Sequence, residues 1–351
     1  MEYEVFEKEG KKEYPKVLEL WLSVFNSPKN FKEKCSWYYE PEKNKSKIFL
    51  LQGKGEEKIL GAIGSVSREF EGKYGASSIG FCSDFAIEEK HRLLRPAILL
   101  LKKLIADQGK TTDILFGFPN NRAVGAMCRA GFTVLNDVSR YALVLNIKHY
   151  LNKTRFSHLL MQLSPALNFV IKSYIKIIKS IQFSGYDLVE LTEADDSFDK
   201  LWRRWIEQCD LFAGKRDKEY ITWRFLENPA SNFRLFALRK KSDRQLAGYA
   251  VIRPTQEGHW IIFDFFALPT EKSLESLLLA IASKACDEGA HSLSVEFLGN
   301  SKIQERIQRL RFVERPSERR VVIRPRINEG DQASYYFNAD NWYVTSADEL
   351  G

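Results

Sequence analysis

WYYEP (residues 37–41) followed by KIFLLQGKGEEKILGAIGSV (47–66) returns in altered form as WRFLENP (223–229) followed by FRLFALRKKSDRQLAGYAVI (233–252). In each copy an aromatic segment leads into two apolar runs broken by a polar turn, which is the pattern of a β-hairpin. The first hairpin turns at Gly53-Lys54-Gly55, where glycine accepts positive φ without a Cβ clash. Trp37 and Trp223 stand 186 residues apart. An earlier helical segment also repeats, with Leu18-Glu-Leu-Trp21 answered by Asp199-Lys-Leu-Trp202 at an offset of 181. Downstream, each copy reaches an aspartate-led apolar strand, Asp84-Phe85-Ala86-Ile87 and Asp264-Phe265-Phe266-Ala267, and each closes 47 residues after its aspartate, at Gly131-Phe132 and Arg311-Phe312. A repeat of this period makes the chain two α/β units in tandem.

Within each unit the order reads helix, hairpin, apolar strand, long helix, strand, short helix and closing strands. Residues 96–108 (PAILLLKKLIADQ) have helical spacing, with proline in the first turn, where its missing N–H is no loss; the counterpart is 273–287. ILFGFP and SLSVEFL then read as buried strands. The expected domains are 1–150 and 185–351, joined by a helical linker at 151–184. In the linker, Ser164 and Pro165 read as cap and first residue. Leu167, Val170, Ile171, Tyr174, Ile175, Ile178 and Ile181 recur on one face, and Lys172, Lys176 and Lys179 lie largely opposite. Such a helix packs on a domain or lies on a membrane surface, so peripheral membrane contact through 165–183 is one expectation.

Composition agrees with a folded chain: 351 residues, 44% hydrophobic and 28% charged. The formal charge of +7 suits an anionic partner of any kind, but the lysines are dispersed and no nucleic-acid-binding motif occurs, so nucleic acid is not expected. The five cysteines are scattered and form no Cys/His cluster, which points to reduced thiols, no structural metal and a cytoplasmic setting. No run of apolar residues is long enough to span a membrane.

The order of elements resembles the GNAT fold of acyl-CoA-dependent N-acyltransferases, and the residues that carry the resemblance lie between Ser77 and Phe132. The fold class this implies is α/β, two GNAT-like domains in tandem, each a mixed twisted sheet flanked by helices. In that family a central strand ends in a turn of the form R/Q-x-x-G-x-G/A that opens a long helix and grips the pyrophosphate of coenzyme A, as helix N-termini grip anions generally. The corresponding turn is Arg92-Leu93-Leu94-Arg95-Pro96-Ala97. Arg92 and Ala97 fit; Arg95 replaces the first glycine and Pro96 removes an amide donor. The segment Asn120 to Phe132 looks like the family's N-x-x-A…Y…G-F stretch along the pantetheine arm, matching at Asn120, Ala123, Gly131 and Phe132. Met127 stands where many members carry a tyrosine acid. A thioether donates no proton, so the acid is absent, is Cys128, or is water.

The resemblance implies acetyl-CoA or another acyl-CoA as co-substrate, no metal, and a small-molecule amine as acceptor. Phe85, Ala86, Ile87, Arg92, Leu93, Leu94, Arg95, Ala97, Asn120 and Ala123 become the cofactor-binding candidates. Asp84 is the candidate base for the amine or a structural carboxylate, with Glu88 and Glu89 as weaker candidates. The turn at 268–273 lacks glycine, so the second copy should not bind CoA in the family's manner. The segments 216–229 and 341–348 are similar to tandem GNAT-like proteins of bacterial surface polysaccharide synthesis, which would make the acceptor an amino sugar and Trp223, Arg224, Trp342 and Asp348 its contacts. Two other readings stay open: a transferase taking an aminoacyl group from transfer RNA, and a non-catalytic scaffold.

Overall fold

The computed structural model of the chain describes residues 2–25, 31–151, 157–182, 185–229, 232–269 and 272–349. The first half supplies strands β1 (Tyr3–Glu9), β2 (Lys47–Gly53), β3 (Ile59–Gly72), β4 (Gly75–Ile87), β5 (Ile114–Gly117), β6 (Thr133–Asp137) and β7 (Ser139–Val144). Its helices are α1 (Gly10–Phe25), α2 (Phe31–Tyr39), α3 (Leu94–Thr111) and α4 (Asn121–Ala130), with α5 (Lys148–Leu151) and the linker helix α6 (Ser157–Gln182) following. The second half supplies β8 (Tyr186–Leu191), β9 (Phe212–Gly214), β10 (Arg234–Lys240), β11 (Leu246–Pro254), β12 (His259–Ala267), β13 (Ser292–Gly299), β14 (Val313–Arg315), β15 (Arg320–Pro325) and β16 (Trp342–Thr345). Its helices are α7 (Ser197–Gln208), α8 (Lys218–Ile221), α9 (Ser273–Asp287), α10 (Ser301–Arg309) and α11 (Asp331–Phe337).

β2, the first half of β3 and β5 are buried on both faces, which is why they read as continuous apolar runs rather than alternating ones. Ile48 and Leu50 of β2 join the core shared with Trp21, Tyr38 and Tyr39 of α1 and α2. Phe49 and Leu51 join a separate core with Leu100, Leu101 and Leu104 of α3 and Met127 of α4. One helical layer covers each face, as the period of two requires. The Gly53-Lys54-Gly55 turn is as expected, with Gly55 at φ 78°.

The closing strands do not stay with their own halves. β15 of the second half pairs with both β5 and β6 of the first. Reciprocally, β7 of the first half pairs with both β13 and β14 of the second. The first unit therefore runs β1-β2-β3-β4-β5-β15-β6 and the second β8-β10-β11-β12-β13-β7-β14, the same order with one strand exchanged. A further path, β3-β9-β16-β13, joins the halves into one sheet. The repeat seen in the sequence is also a meeting point: Trp37 and Trp223 stack on each other at 4.6 Å between ring centroids, and the Trp37 indole N–H donates to the Trp223 carbonyl at 3.1 Å. Gly131 and Arg311 share a left-handed conformation, at φ 108° and 69°, so the repeat persists in the backbone where the side chains differ.

The linker helix departs from expectation. It begins at Ser157 and passes through Pro165, which is therefore not its first residue. Ile175 is buried and Ile171 packs against the same core, but Leu167, Val170 and Tyr174 are exposed; the side chains of Ile178 and Ile181 lie outside the described residues. No described helix is long and apolar enough to cross a membrane.

Candidate active site

Strands β4 and β5 run parallel from Ile79/Ile114 to Cys82/Gly117 and then part. Pairing stops because β5 ends at Gly117, while β4 continues to Ile87 with its edge uncovered on that side. The wedge between them is a cleft of about 450 Å³. Phe85, Ala86 and Ile87 of β4 line it, together with Arg92, Leu93, Leu94 and Ala97 from the following turn and Asn120 and Ala123 from the start of α4. Nine of the ten sequence-derived cofactor residues thus come together. Arg95 is exposed and does not line the cleft.

The turn into α3 is poor in free amides. Arg92 folds back, its Nε donating to the Ile87 carbonyl at 3.0 Å. The N–H of Leu93 is bound to the His91 carbonyl at 2.7 Å, and Pro96 has none. Only Leu94 and Arg95 remain as first-turn donors without an intrahelical acceptor. Asn120 caps α4, its Oδ1 accepting from the amides of Arg122 and Ala123 at 3.1 and 3.0 Å. Met127 is buried in the core beneath the cleft. Cys128 is exposed on α4 but does not line the cleft, so it is not placed to protonate a leaving thiolate there.

Asp84 sits where the β3–β4 register shifts: Ala62 pairs with Ala86 and Gly64 with Ser83, so Asp84 and Phe85 have no ladder partner. The bulge holds Asp84 at φ 50°, a conformation aspartate tolerates better than most residues. Its carboxylate accepts from the Tyr39 hydroxyl at 2.7 Å and lies 3.8 Å from Lys34 Nζ. Burial first, and then the Asp84 charge, raise the Tyr39 phenol well above its usual range, so Tyr39 remains a donor to this carboxylate. Gly64 makes the approach possible, since a Cβ there would fall 2.0 Å from the Tyr39 hydroxyl oxygen. Glu88 instead pairs with Lys58 at 2.7 Å.

The second unit repeats the bulge and closes it. The register shifts between Val251 and Ile252, opposite Asp264. Asp264 accepts from the hydroxyls of Tyr249 and Thr345, both at 2.7 Å, and pairs with Arg216 at 3.3 Å. β12 and β13 also part, after Ile262/Val295. Here the freed edge of β13 is taken by β16, with Phe297 opposite Thr345 and Gly299 opposite Tyr343, and the Tyr343 hydroxyl donates to the Phe265 carbonyl of β12 at 2.5 Å. The chain's own tail fills the second wedge.

Three of the four residues expected to hold an acceptor sugar, Arg224, Trp342 and Asp348, take part in this closure. Asp348 is fully buried, bonded to Arg216 and Arg68, each at 2.6 Å. Arg224 donates to the carbonyls of Ala347 and Glu349 at 3.1 and 2.7 Å. Trp342 is enclosed, with its indole N–H on the Tyr336 carbonyl at 2.9 Å, and Trp223 stacks on Trp37. Trp342, Arg224 and Asp348 anchor the tail, whereas Trp223, at the joint between the units, also lines a second pocket of about 240 Å³ with Arg68, Lys215 and Tyr220.

Sequence reasoning missed Arg122 and Arg129, which also line the first cleft, and Tyr39. The doubled tyrosine inside the repeated WYYEP was the available signal for the last.

The sequence matches no protein-family model and no curated protein. The fold does have solved neighbours. A conserved Enterococcus faecalis V583 protein of unknown function, named a probable N-acyltransferase, aligns over 93% of this chain and 73% of its own at 11% identity and a TM-score of 0.63. A GCN5-related N-acetyltransferase from Anabaena variabilis gives 10% identity over 92% and 73%, with a TM-score of 0.63. Saccharomyces cerevisiae N-myristoyltransferase, solved with bound myristoyl-CoA, gives 10% identity over 92% and 82%, with a TM-score of 0.55. The chain therefore has the GNAT fold of N-acyltransferases. At these identities the likeness speaks of fold alone.

Proposed function

We propose that the protein is an acyl-CoA-dependent N-acyltransferase that works from its first unit. The observation that carries this reading is the open wedge between β4 and β5 beside a bulged aspartate. An uncovered strand edge offers backbone groups to a bound pantetheine arm, in the manner of an added strand. The apolar walls from Phe85, Ile87, Leu93 and Ala97 suit its carbon skeleton, and the arginines at the mouth suit its phosphates. The residues present therefore fit the donor, although the turn supplies fewer amides than the family pattern.

When bound, acyl-CoA supplies the thioester on which the chemistry depends. This chain's part is to hold the donor along β4, to keep water from the buried side of the bulge, and to take a proton from the incoming amine. Asp84 adjoins the cleft through Phe85 without lining it, and receives that proton through water, with Tyr39 on one carboxylate oxygen and Lys34 3.8 Å from the other. The acceptor in this reading is an amine. An amino sugar would have to be held by residues other than Arg224, Trp342 and Asp348, which the tail encloses, while Trp223 lines a pocket and remains a candidate contact.

The test is thiol release from acetyl-CoA and longer acyl-CoAs with a panel of amines that includes amino sugars. Amine-dependent release that falls in Asp84→Asn supports the proposal, and no amine-dependent release with any donor would sink it.

A further inference from the structure

The linker helix α6 is held to the body on one narrow face. Ser164 and Ile175 are buried and Ile171 packs on the shared core, while Asn168 donates to the Asn146 side chain at 3.0 Å and accepts from the Ile147 amide at 2.8 Å. Leu167, Phe169, Val170, Tyr174 and Ile177 all remain exposed, and Phe169, at 71%, is the most exposed large apolar side chain among the described residues. A contiguous apolar surface of this kind marks a contact that the folded chain itself does not supply.

Helix geometry sorts these side chains by direction. At about 100° per residue, and with Leu167 set at zero, the packed residues Ile171, Ile175 and Asn168 fall at roughly 40°, 80° and 100°. Ile177, Val170 and Tyr174 fall at roughly 280°, 300° and 340°, and Phe169 at roughly 200°. The exposed apolar side chains therefore cover an arc of roughly 160°, and the arc contains no charge. Lys172 and Lys176 sit at roughly 140° and 180°, between the Phe169 edge of that arc and the packed face. Both are exposed, and neither forms an ion pair among the described residues.

The charge of this stretch is one-sided. Residues 138–186 contain seven Lys or Arg residues and no Asp or Glu, in a chain with 46 acidic residues among 351. A second copy of α6 is a poor cover for the arc, because two such helices bring lysines together with no carboxylate on either to answer them. Nucleic acid would engage the cations but leave the apolar arc in water. An anionic lipid surface answers both features, since its acyl boundary takes the apolar arc and its headgroups take the lysines along the edge. We propose that α6 docks the protein on anionic lipid, with Phe169, Val170 and Tyr174 in the boundary between headgroups and acyl chains. Because its opposite face is tied to the body through Asn168, Ile171 and Ile175, the helix lies in the plane of the surface rather than entering it end on.

Vesicle flotation of the full chain tests the docking. The vesicles are phosphatidylcholine alone and phosphatidylcholine mixed with phosphatidylglycerol, each at low and high salt. The parent should float with the anionic vesicles at low salt, less at high salt, and not with phosphatidylcholine alone. Phe169→Ser combined with Val170→Ser should weaken the binding roughly 10- to 100-fold, and Lys172→Gln or Lys176→Gln roughly fivefold each. Val313→Ser, which removes an exposed valine on β14, should match the parent. Every substituted side chain is exposed, so the melts should superimpose on the parent's, and lipid binding lost without a change in melting identifies α6 as the docking face. No flotation with anionic vesicles at low salt, equal flotation with both vesicle types, or binding unchanged by the Phe169 and Val170 substitutions overturns the proposal. So does light scattering that shows a parent dimer broken by those same substitutions, since a second copy would then cover the arc.

Discussion

Replacing Gly64 by alanine tests the central claim about the bulge, that a missing Cβ on β3 lets Tyr39 reach Asp84. The new methyl carbon would lie 2.0 Å from the Tyr39 hydroxyl oxygen and 2.8 Å from the ring carbon that bears it. Tyr39 is fully buried and stacks on Trp21 at 5.3 Å, so the ring has little room to retreat. Overpacking of this kind costs about 1–3 kcal/mol, and breaking the 2.7 Å bond to a carboxylate costs roughly 1.5–3 kcal/mol more. A total near 4 kcal/mol, set against an unfolding entropy of about 2.1 cal/mol/K per residue over the chain, lowers Tm by about 5–6 °C. Gly109→Ala is the companion. Gly109 lies inside α3 with nothing closer than 3.8 Å to a new Cβ, so alanine should leave stability unchanged or raise it by roughly 0.5–1 kcal/mol through helix propensity. Both are read by differential scanning calorimetry. A Gly64→Ala protein melting within about 1 °C of the parent would refute the argument that the bulge depends on this close approach.

Other consequences follow from the same geometry. Asp84→Asn should lower amine-dependent thiol release roughly 10²- to 10⁴-fold without moving Tm by more than a few degrees, and an unchanged rate would remove Asp84 from the chemistry. Cys128→Ala should leave that rate intact; the exposed Cys128 should also be the one thiol that reacts quickly with a disulfide reagent, because burial pushes Cys35, Cys82 and Cys209 up to about 12 and Cys286 to about 11. Two fast thiols, or a dead variant, would contradict this. Arg234 hydrogen-bonds to Glu288 and holds it down to about 2. A carboxylate depressed in the folded state stabilises above its ordinary value near 4.5, and that contribution fades as pH falls toward about 2. Tm measured from roughly pH 5 downward should therefore fall more steeply for the parent than for Arg234→Ala, and parallel curves would count against the pairing. Burial alone would raise Asp348, but Arg216 and Arg68 outweigh it and hold the carboxyl below its usual range. Asp348→Asn takes the carboxylate from the enclosed Arg68 and leaves Arg216 to Asp264 alone, which should cost about 3–5 kcal/mol, and a melt unchanged from the parent would show that the tail network is dispensable.

What could be read from the sequence was what depends on neighbours along the chain. Two units, the hairpins, α3 with its early proline, α9 and the turn after β4 follow from periodicity and turn chemistry, and the residues expected around the donor converge because they sit on consecutive elements. Residues whose role depends on contacts far along the chain could not be read that way. Trp342 and Asp348 carry the aromatic and charged chemistry of a sugar site, but their burial is set by β13 and Arg216, more than 40 and 130 residues away. Cys128 looked useful because it follows Met127, yet on a helix adjacent residues point about 100° apart. Tyr39 was hidden for the same reason: its partner lies 45 residues on, across a bulge that no local pattern announces.

The exchange of closing strands and the filling of the second wedge together explain why, of the two matching strand wedges, the first is open and the second is filled. Each unit owes the strand between its fifth and last to the other half, so neither sheet is complete without the whole chain. The exchange alone is symmetric and would leave both wedges alike. The tail breaks the symmetry. β16 takes the edge of β13 that the splay exposes, and its other edge pairs with β9, which in turn pairs with β3 of the first unit. Arg68, also on β3, reaches across to Asp348 and stacks over Tyr220 at 3.8 Å. The space that a second donor would need is therefore the joint that fixes the first unit against the second. A thioester donor in the second wedge would have to displace β16, unpair β9 and strand the buried Arg216–Asp348 pair. Occupation of both wedges at once is incompatible with this fold, and the decay of the second turn costs the protein nothing that its architecture had not already given up.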